Sequence, residues 1–118
     1  MDKLLRRADF KRVYAGGAKT VGKFVVIFTL AGDGEVRRLG VTVTRKVGGA
    51  VVRNRARRRI RELARMHENL LAGWGGEVVV NARRGCAEAA WPALAEDFER
   101  CMKKAKATRW PPAPRQEH

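Results

Sequence analysis

A chain of 118 residues is long enough for one compact domain with a real core and too short for two ordinary ones. Its 26 Lys and Arg against 12 Asp and Glu give a formal charge of +14, which repels itself unless a polyanion neutralises it, so nucleic acid is the natural partner. No run of about 18 apolar residues is present, Lys3, Arg6 and Arg7 precede no hydrophobic signal core, and Cys86, Cys101, His67 and His118 complete no zinc spacing, so the sequence predicts a soluble, cytoplasmic protein with reduced thiols and no bound metal.

Near the N-terminus Phe10, Val13 and Tyr14 stand at i, i+3 and i+4, which predicts a short helix from Ala8 to Ala15, with Lys11 and Arg12 on its other side and Gly16-Gly17 at its end. Lys23 to Ala31 is rich in Val, Ile and Phe. Gly32-Asp33-Gly34 is turn chemistry leading into a second apolar run, Leu39 to Thr44, and together they predict a β-hairpin. A period of two places Phe24, Val26 and Phe28 on one face of the first strand and Val25, Ile27 and Thr29 on the other; both faces are apolar, so both should be covered.

After Gly48-Gly49 the period changes. Val52, Ala56, Ile60, Leu63, His67 and Leu70 recur at steps of three and four, predicting a helix through to about Ala72 before Gly73, Gly75 and Gly76 close it. Glu77 to Ala82, with Val78-Val79-Val80, reads as a short buried strand, and Ala87 to about Ala107 as a helix, with Trp74 and Trp91 as packing residues. Pro111, Pro112 and Pro114 make residues 108–118 a flexible tail and leave a single domain over residues 1–107. The order of elements predicts an α+β fold, a two-layer α/β sandwich with a small mixed sheet.

The densest chemical signal runs from Arg45 to Arg65. Nine basic residues (Arg45, Lys46, Arg53, Arg55, Arg57, Arg58, Arg59, Arg61 and Arg65) stand there against one acid, Glu62. At about 100° per residue the apolar set fills one arc and the arginines sweep the rest, so the helix is anchored on one side and cationic on the other. A merely solvated face would alternate its charges into i, i+4 pairs, whereas Arg57 and Arg61 repel each other, and this favours a polyanion site. The planar guanidinium suits phosphate oxygens, base edges and stacking, which points to RNA of defined shape. Asn54 can equally satisfy the helix N-terminus, fix its arginine neighbours or touch RNA. Phe10 and Tyr14 beside Lys11 and Arg12 could stack unpaired bases while cations hold the backbone; core packing is the simpler role for Phe10 alone, and for Tyr14 the two are close.

No Ser, His and Asp set and no motif-spaced carboxylate pair is visible, so no catalytic residue is assigned and the chemistry of any enzyme served must come from another component. A ribosomal or translation-associated RNA-binding protein would share the charge and size. A DNA-reading helix lacks its helix-turn-helix or zipper partner, and a membrane-surface helix lacks aromatic anchors.

The run Arg45-Lys46-Val47-Gly48-Gly49-Ala50-Val51-Val52-Arg53-Asn54-Arg55-Ala56-Arg57-Arg58-Arg59-Ile60-Arg61-Glu62 resembles the signature of the bacterial ribonuclease P protein family. Upstream, Ala8-Asp9-Phe10-Lys11-Arg12-Val13-Tyr14-Ala15-Gly16-Gly17 is similar to the family's first helix, and Leu39-Gly40-Val41-Thr42-Val43-Thr44 to its second strand, so the resemblance covers roughly residues 4–106. The resemblance implies an α/β sandwich with a left-handed βαβ crossover, against the usual right-handed rule. It implies an endoribonuclease that acts as a ribonucleoprotein and removes the 5′ leader of precursor tRNA. The RNA subunit would hold divalent metal (magnesium) and perform the hydrolysis, while the protein binds no cofactor of its own and needs no obligate protein partner. By the same resemblance Arg53, Asn54, Arg55, Arg57, Arg58 and Arg61 would face the catalytic RNA, with Arg45 and Lys46 at the mouth of the site. A cleft of Phe10, Lys11, Arg12, Tyr14, Val25 and Ile27 would receive the single-stranded leader. The sequence departs from the family pattern at Gly49, where Asn is frequent, at Ile27, where some members carry a ring, and in the Pro-rich end.

Overall fold

Val78-Val79-Val80 has no polar residue to offer water on either side, so the strand that contains it must be covered on both faces and flanked on both edges. That strand is the centre of the sheet in a computed structural model describing residues 2–3, 6–32, 36–72 and 74–109, with side chains for residues 6–32, 36–72 and 74–105. The elements are β1 (Asp2–Lys3), α1 (Arg7–Gly16), β2 (Ala18–Val21), β3 (Val25–Ala31), β4 (Arg37–Thr42), α2 (Ala50–Met66), β5 (Gly76–Ala82) and α3 (Trp91–Arg109). Short 3₁₀ turns at Arg45–Val47 and Glu68–Leu71 flank α2.

The sheet order is β1-β4-β5-β3-β2. β5 runs parallel to β4, with Gly40 opposite Val79, and antiparallel to β3, with Phe28 opposite Val79. The predicted hairpin between the two first apolar runs is therefore corrected: β3 and β4 never pair, because the more apolar β5 takes the place between them. β3 instead forms a tight hairpin with β2, an edge strand that the residue pattern does not announce. Of the predicted turn Gly32-Asp33-Gly34, residues 33 and 34 lie outside the described residues. β4, α2 and β5 make the crossover between adjacent parallel strands.

The pleat divides the sheet into two faces. On one, Val25, Ile27, Val78 and Val80 join Ala56, Ile60 and Leu63 of α2 and Leu94, Phe98 and Met102 of α3 in the main core. This is the sandwich of sheet and helices. On the other face Val13 and Val79 are fully buried, with Phe10, Phe28 and Leu30 packed against them, which docks α1. α2 stops at Met66 rather than near Ala72 because the chain tightens into the 3₁₀ turn after His67, whose ring nitrogen Nδ1 lies 2.9 Å from the Leu63 carbonyl. α3 begins four residues later than Ala87 and continues through Arg109, so Thr108 and Arg109 extend the helix instead of starting the tail. The remainder of the predicted tail, residues 110–118, lies outside the described residues.

Burial pushes the Cys86 thiol up to about 11 and raises that of Cys101 as well, so both stay protonated near neutrality, as structural thiols do.

Candidate nucleic-acid interface

Gly48, at φ 154, opens the approach to α2 in a backbone conformation that side chains other than glycine resist, and an added Cβ would press on Val52. From there α2 buries Ala56, Ile60, Leu63 and Ala64 and turns the rest of its circumference outward. Arg55, Arg58 and Arg61 are exposed and enter no ion pair among the described residues, and Arg45 and Lys46 are exposed in the turn just before the helix. Arg57 is half-buried and donates from Nη1 to Asn54 Oδ1 at 3.0 Å, so Asn54 takes the role of fixing an arginine. Val51, 82% exposed, adds an apolar tip to this cationic end. The C-terminal end is less charged in effect, because Glu62 pairs with Arg65.

Two arginines of the signature turn inward. Arg53 donates to the Gly48 carbonyl at 2.8 Å and closes the loop before α2. Arg59, expected from its position in the sequence to join the outward sweep, donates to the carbonyls of Cys86, Ala87 and Ala89 at 2.8, 2.8 and 2.7 Å and lies 5.5 Å from the Trp91 ring centre. It clamps the β5–α3 loop rather than awaiting a ligand.

On the opposite face of the sheet the open part of the α1 groove is lined by Tyr14, Phe28, Val26, Val21, Thr42 and Asn81. Strand register puts Val26, Asn81 and Thr42 in one row and Lys19, Phe28 and Val79 in the next. The Tyr14 ring stands edge-on to Phe28 at 4.8 Å, its hydroxyl donates to Asn81 Oδ1 at 2.9 Å and meets Thr42 Oγ1 at 3.1 Å, and the residue keeps 37% of its surface exposed. Phe10 lies beside it at 6.4 Å. Lys19 Nζ sits 5.9 Å from the Phe28 ring centre, and Lys11 is exposed on the outward side of α1.

Three of the expected cleft residues are elsewhere. Val25 and Ile27 are 0% exposed on the α2 and α3 side, because the same alternation that brings Val26 and Phe28 to α1 turns them away. Arg12 belongs to an ion network at the far end of the groove, pairing with Glu77 and with Asp9, while Arg38 reaches Asp9 at 2.9 Å and Glu77 at 3.1 Å. Burial of Asp9 works to raise its pKa, but the hydrogen bonds and charges of Arg38 and Arg12 outweigh it and hold the carboxyl below its ordinary value. Asp9 and Glu77, 68 residues apart in sequence, are thus brought together as a carboxylate pair that helps to dock α1. The signal for the floor of the groove was present in the sequence as the second face of β3; nothing local marked Asn81, Thr42 or Lys19.

Between the groove and the start of α2 lies an open depression of about 360 Å³ lined by Lys23, Thr44, Lys46, Arg83 and Arg84, with no acid among its lining residues. The arginine helix and the depression are cationic, and the groove on the other face of the sheet is an aromatic trough, a combination suited to RNA that is partly single-stranded.

A family model described as Ribonuclease P matches residues 1–106. The chain belongs to the ribonuclease P protein family. It is 37% identical over 105 residues to the ribonuclease P protein component of Caldanaerobacter subterraneus subsp. tengcongensis, covering 88% of this chain and 89% of that one. With the protein component of Gluconacetobacter diazotrophicus it shares 39% over 104 residues, covering 87% and 90%. Among solved structures, the ribonuclease P protein of Staphylococcus aureus superposes with a TM-score of 0.79 at 28% identity, covering 90% of this chain and 96% of that one. The Thermotoga maritima protein, at 24% identity and a TM-score of 0.77, shares the fold. Membership favours the ribonuclease P reading over a ribosomal or translation-associated RNA-binding protein. The chain serves an endoribonuclease as its RNA-binding protein component.

Proposed function

We propose that this protein binds the catalytic RNA of ribonuclease P through the outward arginines of α2 and receives the 5′ leader of precursor tRNA in the α1 groove, acting in the cytoplasm. The observation that carries this reading is the placement of Arg55, Arg57, Arg58 and Arg61 outside a packed apolar arc, in no ion pair with an acid among the described residues. Arg45 and Lys46 extend that surface toward the basic depression. The groove brings a ring with one open side, Tyr14, over Phe28 and within reach of Lys19, so a base can stack while a cation faces its phosphate. In this reading the divalent metal is held by the RNA. The protein's part is binding and positioning.

Reconstitution with the cognate catalytic RNA tests the reading. The protein alone is expected not to cleave precursor tRNA, and together with the RNA to stimulate leader removal at low magnesium; cleavage by scrupulously RNA-free protein would overturn the division of labour. Reversing charge at Arg57 and Arg61 should weaken RNA binding with normal circular dichroism, and the slope of log affinity against log salt should flatten by about 0.7 to 0.9 for every phosphate that is no longer neutralised. Unchanged affinity at physiological salt would leave α2 a solvated face.

A further inference from the structure

Asp97 is a carboxylate only 2% exposed, on the helix α3 that packs behind the sheet. A buried carboxylate persists where hydrogen-bond donors surround it. Here Oδ1 accepts the backbone N–H of Lys23 at 2.9 Å, Oδ2 accepts that of Phe24 at 2.8 Å, and Arg100 covers the outer flank. Both backbone donors belong to the turn that joins β2 to β3. Gly22 completes the seat: a Cβ on it would lie 2.5 Å from Cys101 Sγ and 2.8 Å from Asp97 Oδ2, so the turn rests on α3 more closely than a side chain at that position permits.

What the turn holds on its other side is cationic. The Gly22 carbonyl accepts Arg83 Nη1 at 2.6 Å, and the Phe24 carbonyl accepts the Arg83 backbone N–H at 2.8 Å. Lys23 extends over the Phe24 ring at 5.5 Å, and Arg84 donates to the Lys46 carbonyl at 3.2 Å. Lys23, Arg83, Arg84 and Lys46 are the four cations of the open depression.

We propose that Asp97 is a positioning residue for RNA binding: by seating the Gly22–Phe24 turn it aims Lys23 and Arg83 into the depression, which takes a phosphate of the single-stranded leader as the strand leaves the groove. Cations already fixed lose less freedom when a phosphate arrives, so the far carboxylate strengthens a contact it never makes. The inference rests on the proposed function.

The test uses holoenzyme reconstituted from this chain and its cognate catalytic RNA, measuring affinity for precursor tRNA with a leader of several nucleotides and for the same tRNA without one. Asp97→Asn keeps the volume but turns an amide toward one backbone donor, and Gly22→Ala displaces the turn from the opposite direction. Each is expected to weaken the leader-bearing substrate about threefold to tenfold, to flatten its salt slope by about 0.7, and to spare the leaderless one. Arg83→Ala should give a similar loss, and Asp97→Asn combined with Arg83→Ala clearly less than the sum of the two, because both act through the same phosphate and only the placement of Lys23 remains to be lost. A purely structural Asp97 would instead lower the melting temperature and weaken both substrates equally, or add fully to Arg83→Ala; either result overturns the proposal, as does leader affinity unchanged in both variants. Failure of the wild-type chain to stimulate leader removal would count against the proposed function itself.

Discussion

Tyr14 is held at three points, by Phe28 under its edge and by Asn81 and Thr42 at its hydroxyl, yet one side of the ring is open. A ring fixed in this way gives a base a ready platform. Tyr14→Ala should therefore lower holoenzyme affinity for a leader-bearing substrate by about 1 to 3 kcal/mol while a leaderless substrate is nearly indifferent. Tyr14→Phe should retain most of that affinity. Equal loss on both substrates would assign the effect to damaged packing. Arg59 makes the contrasting case, since its guanidinium is spent on three carbonyls and a ring. Arg59→Ala should destabilise the fold by on the order of 2 to 3 kcal/mol in denaturant unfolding, leaving carbonyls of the β5–α3 loop without their donor. Its salt slope for RNA binding should match wild type, whereas that of Arg58→Ala should be flatter; a flattened slope for Arg59→Ala would return it to the RNA-binding set. The difference between these arginines was partly legible. On a helical projection Arg53 and Arg59 border the apolar arc, within about 60° of Ala56, whereas Arg58 lies about 160° from it. A border arginine can lay its stem on the core and its head on a carbonyl. The partner carbonyls, 27 to 30 residues away, could not be read from spacing.

At the scale of elements, α1 docks by a small apolar contact and an ion network rather than by a deep core of its own. The pH dependence follows from the sign of the Asp9 shift. Its folded pKa lies below the ordinary 3.8, so the stability it contributes is fully present above 3.8 and is lost as the pH falls through the folded value. Melting temperature recorded from pH 6 down to pH 2.5 should drop in that acid window, and less steeply for Asp9→Asn; superimposable profiles would remove Asp9 from the acid response. Element type was legible along most of the chain: α1, β3, α2, β5 and α3 each announce themselves by period and composition. Pairing was not. Proximity in sequence and a Gly-Asp-Gly turn argued for joining β3 to β4, and only the demand of Val78-Val79-Val80 for cover on both edges argued otherwise. The same limit decided the cleft. The two faces of β3 were separable by eye, but which face meets α1 depends on where α2 and α3 pack, and that choice sent Val25 and Ile27 to the core and Val26 and Phe28 to the groove.

Across the whole molecule the sheet acts as a partition, with the arginine helix on one face, the aromatic groove on the other, and the basic depression at the end where the two surfaces come closest. Because the chain carries a net charge of +14, RNA affinity should fall steeply as salt rises, with log affinity linear in log salt. The central position of β5 also governs the order in which the molecule can be made. A nascent chain presents β3 and β4 well before the strand that must lie between them, and their neighbouring edges stay unmatched until residues 76–82 leave the ribosome. Closure of the sheet is therefore a late, long-range event, and the loop entropy it must overcome makes it slow relative to helix formation. A chain truncated after Gly75 should show little amide protection in β3 and β4, with protection appearing on addition of residues 76–105; native-like protection in the shorter chain would mean that the first two thirds fold unaided. Until β5 arrives, the edges of β3 and β4 that it will cover are open to wrong partners in addition to the outer edges of the finished sheet, so this protein is more vulnerable to aggregation during its synthesis than in its finished state.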